Sequence, residues 1–356
     1  MSALFEPLRA GELMFPNRIL MAPLTRCRAV NGRVPNALMR EYYVQRATAG
    51  VILTEATSVT PMGVGYPDTP GIWSEEQVAG WRDITDAVHA AGGQILLQLW
   101  HVGRISHPLY LNGELPVSSS AIAPKGHVSL VRPKTEFVAP RALRRDEIPG
   151  VIETYRKGAE NAQRAGFDGV EIHGANGYLL DQFLQDGVNK RDDDYGGPIE
   201  NRARMHIEVA EACISVWGAG RVGMHLAPRG DSHSMGDSDL KGAFSYLARE
   251  LGKRKLAFLC TREHEDADWI TPYLKREFGG VMIANENFTQ ASAEAAIARG
   301  DVDAVAFGKA IIANPDLVER FRTHAPLNEW DARTFYTHDA AGYTDYPSLE
   351  RTSLTA

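Results

Sequence analysis

Cysteine is scarce in this chain: three residues in 356, Cys27, Cys213 and Cys260, far apart in sequence. That spacing fits neither a disulfide framework nor the clustered ligands of a zinc or iron–sulfur site. No apolar run is long enough to span a bilayer. The opening stretch Met1-Ser-Ala-Leu-Phe-Glu-Pro-Leu8 lacks the basic start and apolar core of a signal peptide. Positive charge is in deficit, with a net charge of −7 and a pI near 5.9, and no long basic run occurs. A polyanion-binding surface is therefore not expected. No strand-like run leads into a G-x-G-x-x-G turn, which weakens any reading as an open dinucleotide-binding sheet. Adjacent metal ligands of the H-x-H kind are also missing, so no metal is expected. These absences predict a reduced, cytoplasmic protein with no nucleic-acid or membrane partner.

What is present is an alternation. Hydrophobic residues make up 44% and charged residues 23% of the chain, enough for a large core. Strand-like runs are read at 18–22, 51–55, 94–98, 168–173, 222–226, 256–260, 280–284 and 303–307. Amphipathic helical runs are read at 36–49, 74–91, 146–165, 201–217, 239–251, 270–278, 290–299 and 315–321. Eight such pairs predict a single (β/α)₈ barrel, an α/β fold, spanning residues 1–356. Two segments fall outside the repeat. Residues 1–16, with Gly11-Glu12 between apolar runs, predict a hairpin closing the barrel's bottom. Residues 101–146, rich in Pro, Ser and Gly, follow the third strand and predict a lid over the C-terminal face.

The most informative stretch is Gly169-Val-Glu-Ile-His-Gly-Ala-Asn-Gly-Tyr178. In a strand, Gly169, Glu171 and His173 share one face and Val170 and Ile172 the other. Polar inside and apolar outside suits a barrel strand covered by helices. His173, Asn176 and Tyr178 then gather at the C-terminal end, where such barrels place their chemistry. His173 and Asn176 can hold an electron-rich oxygen and Tyr178 can supply a proton; alternatively, the three only tie down a turn. Gln98 and Trp100 share the inner face of the third strand, as a planar hydrogen-bonding heterocycle would need, or as a satisfied core amide beside an indole. At the eighth strand's end, Gly308 and Lys309 suit a phosphate, although a single lysine is more often a solvated surface charge.

Along its whole length the chain resembles the old yellow enzymes, flavin-dependent ene-reductases. The resemblance is carried by Pro16-Asn-Arg18, Ala22-Pro-Leu-Thr25, Thr69-Pro-Gly-Ile-Trp73, Gln98-Leu-Trp-His101, His173-Gly-Ala-Asn-Gly-Tyr178, Asp194-Tyr-Gly-Gly197, Phe307-Gly308 and Gly342-Tyr-Thr-Asp-Tyr-Pro347. Val222-Gly-Met-His-Leu-Ala-Pro-Arg229 and Ala284-Asn-Glu-Asn-Phe-Thr289 look most like the bacterial xenobiotic reductase B type within it. The resemblance implies a bound, non-covalent FMN, reduced by NADPH or NADH, which leaves before an acceptor enters the same pocket. Acceptors would be small enones or nitro compounds, with nitroesters and nitroaromatics included, and the enzyme a monomer or homodimer. His173 and Asn176 would bind the acceptor's oxygen, and Tyr178 would protonate its α-carbon. Pro23, Thr25, Ala56, Gln98, His225, Asn285, Gly308 and Lys309 would hold FMN. Tyr66, Trp100 and Tyr343 would wall the substrate pocket, and the tail 324–356 would contribute to it.

Two sites depart from the family pattern. His225 stands where many members carry arginine beside the flavin, exchanging a fixed charge for a group that ordinarily titrates near neutrality. Lys309 and Asn285-Glu286-Asn287 replace an arginine and a glycine pair at the phosphate. A lysine lacks arginine's bidentate fork, so weaker and more salt-sensitive FMN binding is expected.

Overall fold

The computed structural model describes residues 2–349 except Asp231; the last seven residues of the expected tail lie outside the described residues. Eight parallel strands form the barrel: β1 (Ile19–Met21), β2 (Ile52–Leu53), β3 (Ile95–Trp100), β4 (Gly169–His173), β5 (Val222–Leu226), β6 (Phe258–Arg262), β7 (Val281–Asn285) and β8 (Ala304–Phe307). Each pairs with its sequence neighbours, β8 pairs with β1, and β2 pairs with β3 through Ile52 opposite Ile95. The sheet is thus closed, as eight strand–helix units require. The second strand is far shorter than its sequence run: after the Thr54 N–H donates to the Leu96 carbonyl, side chains take over, the Gln98 N–H donating to Thr54 Oγ1 and the Glu55 N–H to the Tyr43 hydroxyl.

Alternation along the strands separates two apolar regions. Ile19, Met21, Ile95, Leu97, Val170, Ile172, Met224 and Leu259 face outward into a layer shared with the helices. Leu20, Leu53, Leu96, Phe258, Cys260, Ile283 and Ala306 fill the barrel's lower interior. A hairpin of Leu8–Ala10 against Leu13–Phe15 adds Ala10, Leu13 and Phe15 to that interior, so the expected bottom plug is present. Burial of Phe15, with an edge contact to Phe258 at 6.4 Å between centroids, contributes roughly 1.5–3 kcal/mol. Gly223 makes room for this floor: a Cβ there would sit 2.2 Å from the Phe258 ring.

The outer layer contains α1 (Ala37–Val44), α2 (Glu75–Ala90), α3 (Ile148–Arg164), α4 (Arg204–Trp217), α5 (Leu240–Lys253), α6 (Thr271–Phe278), α7 (Gln290–Ala298) and α8 (Leu317–Thr323). Their ends follow local chemistry. Ser74 and Gln77 form a reciprocal cap at the start of α2. Gly279 closes α6 in the left-handed conformation, φ 70°. The sequence run 36–49 is helical only to Val44 and continues as turns. A short helix, Leu179–Leu184, lies directly after β4 and was not expected from the sequence. It anchors the excursion at 101–146: Gln182 accepts from the Arg104 N–H and from the Ser118 hydroxyl, and donates to the Val102 carbonyl. Among the described residues no helix is long and apolar enough to cross a membrane.

Candidate active site

The end of β4 brings its three candidates together. His173 is buried and its ring meets that of Tyr178 edge-on at 4.9 Å. Burial, reinforced by His225 and Arg262, holds the imidazole well below its usual pKa, so it is neutral. The Ala175 N–H donates to its Nδ1 at 3.3 Å. With Nδ1 occupied as an acceptor, the ring proton resides on Nε2, which makes that nitrogen a donor. Asn176 adopts φ 57°, a left-handed conformation asparagine tolerates. Its Oδ1 accepts from Arg262 Nη1 at 3.0 Å, and its backbone carbonyl lies 2.7 Å from His233 Nδ1. The amide hydrogens of Asn176 therefore point away from Arg262 as donors. Tyr178 shares a 2.8 Å hydrogen bond between hydroxyls with Tyr66, and burial raises its pKa well above the phenol range.

Trp100 joins this group at the end of β3. Its ring lies 5.0 Å from Tyr178, 5.4 Å from Tyr66 and nearly parallel to His173 at 6.3 Å. Together with Ala56, Val102 and Ile105 it forms a small apolar cluster above the barrel interior. Below this cluster runs a buried polar chain: Gln98 Nε2 donates to Glu171 Oε2 at 2.8 Å, and Glu171 Oε1 lies 3.2 Å from His225 Nδ1. His225 Nε2 and Trp100 Nε1 have no partner among the described residues. Buried orphan groups of this kind are costly, and a heterocycle bearing ring nitrogens and carbonyls satisfies them. FMN fits this rim.

Glu171, His225 and Cys260 also bring ligand-type atoms within 4.8 Å of one another. Glu171 is already engaged from both sides, and burial lifts the Cys260 thiol well above its usual range, so the trio is a poor match for a metal. On the rim above β1 and β2, Pro23 and Thr25 are half-buried and Ala56 is buried. Asn285, at the end of β7, donates from Nδ2 to the Ala306 carbonyl at 2.7 Å. Gly308 is half-buried, and a Cβ there would meet only Leu24, at 3.5 Å. Lys309 is exposed, and its ammonium rests 5.0 Å from the centre of the Trp330 ring, turned toward the tail. Glu286 forms an ion pair with Arg262 and lies 3.8 Å from His264. Its charge is thereby met on the β6 side.

Tyr66 and Trp100 are in contact, but Tyr343 belongs elsewhere: it stacks on Tyr42 at 4.0 Å, within 5.0 Å of Arg26 and 4.3 Å of Arg28. The tail residue that shares a cavity with Tyr66 is Tyr336. Sequence reading missed Arg262, His233 and Tyr336, and placed Glu286 at the phosphate rather than beside Arg262. Arg262 alone carried a signal, being a cation at the end of a barrel strand.

Comparison with known proteins converges on one family. A family model described as NADH:flavin oxidoreductase / NADH oxidase matches residues 3–328. The chain is 43% identical to 12-oxophytodienoate reductase 1 of Oryza sativa subsp. japonica, over 98% of this chain and 93% of that protein. It is 40% identical to 12-oxophytodienoate reductase 2 of Arabidopsis thaliana, over 98% and 96%. Among solved structures, morphinone reductase in complex with tetrahydroNAD superposes with a TM-score of 0.95 at 46% identity, covering 99% of both chains. The old yellow enzyme homologue from Zymomonas mobilis gives 0.94 at 43% identity, covering 97% of this chain and 99% of that one.

Proposed function

The chain belongs to the NADH:flavin oxidoreductase / NADH oxidase family, in its old yellow enzyme branch, and from that membership we propose how its own residues carry out the reaction. It is an FMN-dependent oxidoreductase that draws reducing equivalents from a nicotinamide and acts as an ene-reductase. The proposed acceptors are activated C=C bonds of α,β-unsaturated carbonyl or nitro compounds, with nitroesters and nitroaromatics as further candidates. Resemblance to the xenobiotic reductase B type remains part of this proposal. So does the division of residues 1–356 into one flavin-binding barrel, a lid at 101–146 and a tail at 324–356 that completes the site.

When bound, FMN supplies the hydride. His173 and Asn176 bind the acceptor's oxygen through Nε2–H and the carboxamide N–H groups. Both are held neutral and oriented before substrate arrives, so they stabilise negative charge developing on that oxygen without reorganising. Tyr178 retains its proton until a strongly basic carbon appears, because burial raises the cost of its phenolate. Gln98, Glu171 and His225 form the hydrogen-bonding floor, with His225 Nε2 free to meet the flavin. Pro23, Thr25, Ala56, Asn285, Gly308 and Lys309 would complete the cofactor's contacts, and Tyr66 and Trp100 the wall.

The single observation that supports this reading best is the Ala175 N–H donating to His173 Nδ1, next to an Asn176 oxygen already taken by Arg262. The test is reoxidation of the reduced holoenzyme by 2-cyclohexenone. His173→Ala with Asn176→Ala should lose roughly 10²–10³-fold or more in that step, the range for removing an oxyanion donor. Rates within threefold of wild type would end the assignment. For His225, the flavin midpoint potential of His225→Gln should diverge from wild type between pH 5 and 9. Superimposable curves would remove its role.

A further inference from the structure

Each turnover that takes the Tyr178 proton leaves a phenolate that must be reprotonated before the next. Among the described residues the Tyr178 hydroxyl has no hydrogen bond to a carboxylate or an ammonium group; its partner is the Tyr66 hydroxyl at 2.8 Å, and either can be the donor. Tyr66 approaches from the loop after β2 and reaches the excursion, where Ser129 borders the same space. Tyr66 and Ser129 both line a cavity of about 490 Å³ between the excursion and Tyr336. The same cavity is bordered by His127, Arg132 and Lys134, all exposed. A chain of hydroxyls thus runs from the buried acid to a water-accessible space lined by cations.

We propose that Tyr66 is the proton relay that reloads Tyr178, passing protons from the Ser129 cavity to the acid. The inference rests on Tyr178 being the acid. In the step, the Tyr178 O–H bond breaks as its proton joins the acceptor's α-carbon. The Tyr66 proton moves along the existing hydrogen bond to the Tyr178 oxygen, and a water in the cavity, directly or through Ser129, gives a proton to Tyr66, leaving hydroxide to exchange with solvent buffer. No oxidant or reductant is needed beyond the acceptor and the reduced cofactor. Displacing the negative charge outward matters because burial disfavours it most at Tyr178. At Tyr66, the hydrogen bond with Tyr178 offsets part of the burial effect. The lysine and arginine at the cavity wall favour it further. Concerted movement through two hydroxyls avoids an isolated phenolate in the apolar cluster around Trp100.

The test uses the flavin-loaded enzyme, reduced with one equivalent of NADPH or NADH and mixed with 2-cyclohexenone. Saturated ketone is followed by rapid quench in mixtures of H₂O and D₂O. Wild type should show a curved dependence of ketone formation on deuterium fraction, because more than one proton moves. Tyr66→Phe keeps the ring and its contacts but removes the hydroxyl. It should give a straight line and slow ketone formation about fivefold or more, a modest share of a general-acid effect. A role in packing alone would shift KM and leave the curvature intact. A straight line in wild type, or retained curvature with an unchanged rate in Tyr66→Phe, overturns the relay. Tyr178→Phe separates the two claims: ketone formation at the wild-type rate in that variant would show that the acid assignment itself fails.

Discussion

With its oxygen taken by Arg262, the Asn176 carboxamide presents only its amino group to a bound acceptor. Arg262 is in turn paired with Glu286, a residue that the sequence alone placed in the stretch expected at the phosphate. In the fold Glu286 belongs to the scaffold of the oxygen-binding pair. The backbone at this residue is unusual, with φ 106° at Glu286, a conformation that costs of order 1–3 kcal/mol in a non-glycine residue. Arg262→Ala frees the carboxamide to rotate. It should lower kcat/KM for an enone by roughly tenfold, part of the 10²–10³ range for losing a donor outright, with little change in Tm. Arg262→Lys should recover some of the loss. An unchanged kcat/KM in Arg262→Ala would show that Asn176 is oriented by other contacts. None of this was readable beforehand, because hydrogen bonds between residues 86 positions apart leave no local pattern.

The elements divide by how their signal is written. Barrel strands and the longer helices were legible from period alone, since strand faces alternate every two residues and helix faces every three or four. The short helix at Leu179–Leu184 escaped because every one of its residues is buried, so it shows no amphipathic stripe. The tail escaped for a different reason: three arginines hold it by its backbone carbonyls, which any sequence possesses. Arg28 donates to the carbonyls of Thr334, Phe335, Asp339 and Ala341 and to the Thr337 hydroxyl. Arg26 donates to those of Phe335 and Gly342. Arg46, fully buried and lowered to about 10 by burial, reaches those of Ile311, Ile312 and Tyr343. Arg28→Ala should therefore release residues 334–343 without unfolding the barrel. Limited proteolysis should then cut within that stretch several-fold faster, at nearly unchanged Tm. Equal cleavage rates would assign the tail's anchorage to other contacts.

At the scale of the whole molecule, buried imidazoles couple stability to pH. His101 and His206 are lowered by burial to about 3 and about 4. Between about pH 6.5 and those values the unfolded chain binds protons that the folded one refuses, so each site weakens folding as pH falls through that window. At pH 5 the penalty is about 2 kcal/mol per site. His206 is the simpler one to probe, as its Nδ1 has no partner among the described residues. The stability of His206→Gln relative to wild type should improve by about 2 kcal/mol between pH 7.5 and 5, measured by urea unfolding. A pH-independent difference would mean that the site relaxes when protonated. Glu55 and Asp181, raised by burial to about 7, act in the opposite sense: they bind protons in the fold first, so their contribution declines as pH rises toward 7. The scarcity of cysteine acquires its own meaning here. All three thiols are buried, and burial pushes Cys27 up to about 12 and the other two well above the usual thiol range. Thiolates add to electrophilic alkenes, so a catalyst that handles such compounds offers them no thiolate of its own. Native protein incubated with N-ethylmaleimide should gain no adduct mass, and denatured protein should gain three.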